Sequence, residues 1–317
     1  MIGVNLVHGA FFHHPQPEAL IGSLLDDLSR ARLEVDMIRF SGPAFAGVDN
    51  RLMSLQLVEQ DLTDAAMFTA TGEVVQPAEV LYQRPVLVER GSFRPITKLT
   101  LDVLERAREQ FLQEPDVSGQ EPVVLMEMTL RDLGESAGVD HADFLARADI
   151  LGGLGMNVLI SRFEQYYRLA DYLGAYTDHK IGLAAGLASV REIALERSSK
   201  DLAGGIIEAT GRLFKRSVKM YVYPARDPAS GEVYAIDTAP VPPPWQYLRD
   251  MLMHMGRLEG IRGYTDAYLS IAMSDALARI AAGDVSWEQL VPAPVVTTIK
   301  TKRLFGYRAA ASASAAS

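Results

Sequence analysis

The sequence predicts an α/β protein built on a doubly wound parallel sheet. Short runs of Val, Ile, Leu and Met alternate along the chain with longer stretches whose apolar residues recur at helical spacing. Most of the short runs are apolar throughout rather than at every second residue, the pattern of strands buried on both faces. Size and composition agree, because 317 residues with 48% hydrophobic and 22% charged residues suit a globular chain of one large or two smaller domains. A (β/α)8 barrel is the alternative arrangement, and both put functional loops at the carboxyl ends of strands.

In chain order, strands are expected at Val4–Val7, Val35–Phe40, Ala65–Phe68, Val86–Glu89, Val123–Met128, Val158–Ile160, Ile181–Ala184 and Val218–Tyr223. Pro17 opens a helix with Leu20, Leu24, Leu25 and Leu28 on one face, and Asp140 stands as the N-cap of another ending at Gly152-Gly153. After Tyr223 the pattern changes. PARDPASGEVYAIDTAPVPPPW is turn-rich with a hairpin around Ser230-Gly231, Trp245–Gly256 and Tyr264–Ala282 read as helices, and PAPVVTTIKTKRLFGY reads as a wrapping arm. The expected organisation is an N-terminal βαβ portion (1–83), an α/β core (84–223), a helical C-terminal extension with its arm (224–308), and a low-complexity, disordered tail (309–317).

Charge and composition exclude several function classes. A net charge of −9 argues against a nucleic-acid partner, which needs a basic face. With no cysteine, disulfides, thiolate metal sites and a cysteine nucleophile are excluded. No apolar run approaches the ~18 residues of a membrane helix, and the first residues lack the pattern of a secretory signal, so a cytoplasmic, bacterial-type protein without a membrane partner is expected.

The most informative stretch is VLVERGSFRPITKLTLDVLERA, Val86 to Ala107: a strand, a tight turn and the start of an amphipathic helix. Nucleotide-binding proteins use that order, because the helix N-terminus and the backbone N–H groups of the turn attract phosphate. GSFRPITKLT, Gly91 to Thr100, resembles the first turn of the nucleotidyltransferases that include phosphopantetheine and nicotinate-nucleotide adenylyltransferases, whose pattern is G-[ST]-F-x-P-[IV]-[TH]-x-G-H. Gly91, Ser92, Phe93, Pro95, Ile96 and Thr97 match it position for position. The following strands and helices continue the likeness over roughly residues 84–223. The chain is also similar, over nearly its full length, to a bacterial family that carries adenylyltransferase labels on the strength of this turn.

The resemblance implies a phosphorylated small-molecule ligand held at Gly91, Ser92, Phe93 and Arg94. It also implies adenylyl transfer from ATP, with Mg²⁺, to a phosphate acceptor, with Thr97, Lys98 and Thr100 in the catalytic positions. Leu99-Thr100 departs from the family's Gly-His. Threonine keeps a hydroxyl but not a cation, and Lys98 is the nearest substitute charge. Loss of a donor to charge that grows in the transition state weakens catalysis more than binding, so a degenerate transferase is expected.

Other residues supply further candidates. Glu127 ends a strand and suits acid–base work, while Arg162 and Arg94 suit a phosphate or carboxylate clamp. His8, His13 and His14, on a loop after the first expected strand, suit zinc, iron or manganese with Glu127 or Asp36 completing the shell. That reading makes the protein a metal-assisted lyase, hydrolase or isomerase. Solvated loop histidines, and a non-catalytic ligand-binding or assembly protein, are the readings set against it. Tyr166, Tyr167, Tyr172 and Tyr176 recur at helical spacing and suit packing or an interface, which allows for a homo-oligomer.

Overall fold

The structure, a computed structural model, describes residues 1–135, 138–194 and 199–308. The tail expected at 309–317 lies outside them. One eight-stranded sheet organises the chain. Its strands are β1 (Ala65–Phe68), β2 (Val74–Val75), β3 (Val86–Arg90), β4 (Val123–Thr129), β5 (Asn157–Ser161), β6 (Ile181–Gly186), β7 (Val218–Tyr223) and β8 (Leu258–Gly260). They lie in the order β8-β7-β6-β3-β4-β5-β1-β2.

From β8 to β5 all neighbours are parallel; β1 runs antiparallel to β5, and β2 antiparallel to β1. The sheet is open, with β8 and β2 at its edges, and the barrel alternative is not realised. The six parallel strands follow the 3-2-1-4-5-6 order of doubly wound sheets, reversing between β3 and β6.

The reversal decides where the helices go. Right-handed crossovers carry α4 (Lys98–Phe111) and α5 (His141–Gly153) onto one face, and after the reversal carry later helices onto the other. These are α6 (Tyr166–Tyr176), α7 (Leu187–Ala194), α8 (Gly205–Leu213) and α9 (Pro243–His254). Strand residues divide accordingly. Leu87, Met126 and Ala184 join Val103, Ala107 and Phe144 in the first core. Val88, Leu125 and Leu183 join Leu169, Leu213 and Trp245 in the second.

The last helices, α10 (Met273–Ala282) and α11 (Ala293–Lys302), close the first core with Ile280, Trp287, Val295 and Ile299. The expected arm is therefore a packed helix. At the N-terminus, α1 (Ile2–Phe12), α2 (Pro17–Ser23) and α3 (Asn50–Glu59) precede the sheet, and a small third core joins α2 and α3 through Leu20, Ile21, Leu24, Met53 and Leu57.

Two expected strands are corrected. Val4–Val7 lies inside α1, because this short apolar run belongs to a longer one whose spacing is compatible with either structure. Val35–Phe40 has no sheet partner among the described residues and runs as irregular chain, tied back through the Val35 N–H to the Leu62 carbonyl. In their place β2 and β8 are short strands at the edges, where neighbouring strands supply the register.

Candidate functional site

The turn after β3 is built as the sequence suggests, but its donors are largely turned inward. The Gly91 N–H continues the sheet by donating to the Glu127 carbonyl at 3.1 Å. Glycine is required there by close approach: a Cβ would stand 2.9 Å from the Phe93 ring, which folds back into the core. Phe93 has φ +49°, and the Arg94-Pro95 peptide is cis.

Thr97 is the N-cap of α4. Its hydroxyl accepts from the Thr100 N–H at 3.2 Å, and the Thr100 hydroxyl accepts from the Thr97 N–H at 3.4 Å, a reciprocal capping box. The Lys98 N–H donates to the Leu290 carbonyl at 2.9 Å. From α10, the Met273 sulfur accepts from the Ser92 hydroxyl at 3.0 Å and from the Arg94 N–H at 3.3 Å. Much of what a phosphate would use at this helix end is therefore satisfied by the chain itself.

Two pockets flank the turn. One, of about 650 Å³, lies on the α5–α10 side and is lined by Ser92, Arg94, Asp143, Arg147 and Met273. Here the Arg147 Nε donates to Asp143 at 2.6 Å, while its Nη1 donates to the Ser92 carbonyl at 3.1 Å and the Asp132 carbonyl at 2.8 Å. Arg94 Nε donates to the other Asp143 oxygen at 2.7 Å. Burial, and secondarily the neighbouring Arg94 charge, lower the pKa of Arg147, which the Asp143 carboxylate opposes.

The other pocket, of about 580 Å³, lies over the carboxyl ends of β3, β4 and β5 and is closed by α7, which follows β6. It therefore sits at the reversal of strand order, where open α/β sheets hold ligands. Arg90 forms its inner wall. The Arg90 Nε and Nη2 donate to the two oxygens of Glu127 at 2.8 and 2.9 Å, and Nη1 donates to the Glu164 carbonyl at 3.2 Å. The guanidinium lies 4.4 Å from the centre of the Tyr166 ring. Ser161 completes the set by donating to Glu127 at 2.6 Å. Burial opposes the charge on Arg90, but the Glu127 carboxylate outweighs it and holds the group more firmly protonated than usual. Arg131, Asp132, Ser189, Glu192 and Lys200 continue the wall and mouth.

Not all the expected site residues meet. Gly91 lines the Arg90 pocket, and Ser92 and Arg94 line the other. Thr97 and Thr100 are buried in the cap, Phe93 is in the core, and Lys98 is half-buried at the first turn of α4. Glu127 is fully buried beneath Arg90 and lines neither pocket. Arg162 pairs with Asp61 in a separate cleft shared with Arg30 and Arg168.

His8 lies on α1 rather than a loop, stacked at 4.7 Å on Phe12 and 5.7 Å from the His13 ring, with His14 just beyond the helix. Among the described residues no group of three or more His, Cys, Asp or Glu side chains is placed to hold a metal ion. Arg90 itself was not among the sequence candidates. Its signal is a lone cation ending an apolar strand immediately before the glycine.

No family model and no curated protein matches the chain. Among solved structures, a Plasmodium falciparum nicotinic acid mononucleotide adenylyltransferase complexed with APC aligns with 71% of this chain and 99% of that one, at a TM-score of 0.39 and 10% identity. So slight a likeness carries no weight for the site, whose interpretation rests on the strand order and side chains above.

Proposed function

We propose that this protein binds a phosphorylated small molecule, a nucleotide in the first instance, in the Arg90 pocket. The observation that carries the proposal is a rigidly held guanidinium at the end of the central strand, facing a pocket at the reversal of strand order. Its three bonds use Nε–H and one N–H of each Nη, so the second N–H of each Nη remains for a ligand oxygen among the described residues. Because Glu127 neutralises Arg90, the additional attraction for an anion comes from Arg131 and Lys200 at the mouth. Asp132 and Glu192 line the same pocket and would be the carboxylates for a Mg²⁺ carried by the phosphates, since that ion needs only one or two of them when phosphates and water complete its octahedron.

Adenylyl transfer is slow or absent in this reading. The Thr100 hydroxyl stands where the resemblance expects a histidine, and it is committed to Thr97. No cationic side chain takes that position within the first turn, because Lys98 precedes it by two residues.

Calorimetric titration with ATP, AMP and pyrophosphate, with and without Mg²⁺, tests the proposal. Binding at micromolar to millimolar concentration is expected. Arg131→Ala with Lys200→Ala should weaken it about tenfold, the scale of one or two charge-assisted hydrogen bonds. Arg162→Ala, in the other cleft, should leave it unchanged. Absence of binding at millimolar ligand, or equal binding by the double variant, would overturn it.

A further inference from the structure

The outer face of α1 is a continuous apolar seam. Asn5 and Gly9 face inward: the Asn5 side chain donates to the Leu24 and Asp26 carbonyls at 3.0 and 2.8 Å, and a Cβ on Gly9 would meet Leu20 at 3.0 Å. On the opposite side Val4, Val7 and Phe11 recur at i, i+3 and i+7, flanked by Met1, His8 and Phe12. Met1, Val4, Val7, Phe11 and Phe12 each expose 57–74% of their surface. A helix apolar on nearly every side is ordinarily buried on every side.

We infer that this seam is the contact between two copies of the chain, paired α1 to α1 about a two-fold axis. Three features select that occupant. The stretch from Met1 to Pro17 contains no Asp, Glu, Lys or Arg, so two copies meet with none of these side chains set against its like or buried unpaired. A membrane surface suits the seam poorly, because interfacial helices carry Lys or Arg on their polar face, whereas the first such residue here is Arg30 and the net charge is −9. The area also fits. Five such side chains expose on the order of 600 Å² per copy, so a pair has up to about 1,200 Å² to hide, which reaches the lower bound for a specific interface and is enriched in the Phe and Met typical of interface cores.

An interface at this lower bound belongs with the weak, transient ones, so the dimer is expected to exchange with monomer as the protein is diluted. Because the chain lacks cysteine, one introduced thiol reports the contact directly. Oxidised Val7→Cys should run as a disulfide-linked dimer, while Thr297→Cys, on an exposed position of α11, should remain uncrosslinked. Sedimentation equilibrium from about 1 to 200 µM should give a mass rising towards twice 34.7 kDa. Val7→Glu with Phe11→Glu should hold the protein at monomer mass, with its far-ultraviolet dichroism retained.

A monomer throughout that range would overturn the inference. So would an undiminished dimer in the double-glutamate variant. Masses climbing beyond the dimer would also overturn it, because they would mean that α1 seats on another surface, such as the exposed Tyr247, Met251 and Met255 stripe, and builds open chains.

Discussion

Glu89 and Glu127 are two carboxyls near the end of adjacent strands, and their opposite settings give opposite expectations. Glu127 is fully buried but accepts from Arg90 and Ser161. Glu127→Ala would leave the Arg90 guanidinium buried without its counter-charge, at a cost of about 3–5 kcal/mol. Urea denaturation should show a large fall in midpoint, and a shift of under 1 kcal/mol would mean Arg90 swings out to solvent. Glu89 is buried with an oxygen that meets no donor among the described residues, and burial raises its pKa well above the ordinary carboxyl value. The folded state then holds its proton through a pH range in which the unfolded chain has released it, so stability falls as pH rises above about 4.5 towards the folded pKa. Glu89→Gln should therefore match the parent protein near pH 4 and exceed it in melting temperature at pH 8. Equal pH profiles for the two proteins would show that Glu89 ionises without penalty.

At the scale of elements, the sequence was most readable where one face of a helix or both faces of a strand had to be buried. β3 to β7 lie at their expected places because Val86–Val88, Val123–Met126 and Ile181–Ala185 have few polar residues to offer solvent. The N-cap at Asp140 was legible for a local reason, since its carboxylate accepts from the Ala142 and Asp143 N–H groups. What escaped was decided by distant partners. IGVNLVHGAFF has no internal feature that separates strand from helix, and β8 is held by β7, where Leu258 pairs with Met220 and Gly260 with Val222. The turn itself was legible, but its closure was not, because Met273 and Leu290 reach it from almost two hundred residues away. The α4 cap supplies a test at this scale. Thr97→Ala removes one arm of the capping box and should cost about 1 kcal/mol in denaturant unfolding. A loss near zero would mean that the Leu290 carbonyl and water satisfy the helix end without it.

In the whole molecule the sheet is shared by two cores, and each has its own tryptophan. Trp287, contributed by the segment between α10 and α11, is buried in the core under α4 and α5; Trp245, on α9, is buried in the opposite one. Neighbouring residues of the same strand, such as Leu87 and Val88 of β3, belong to different cores, so neither face can come apart while the other keeps its strands intact. The C-terminal portion is bound into this arrangement twice, by β8 in the sheet and by Val295 and Ile299 in the first core. One cooperative transition follows from that sharing, despite a chain length at which separately unfolding domains become common. In Trp245→Phe only Trp287 reports, and in Trp287→Phe only Trp245 does. Within each variant the fluorescence midpoint in urea should coincide with the far-ultraviolet dichroism midpoint of the same protein, whatever stability the substitution itself removes. If the Trp287 signal were lost at lower urea than the dichroism, residues 224–308 would instead form a cooperative unit of their own, docked on a sheet able to stand without them.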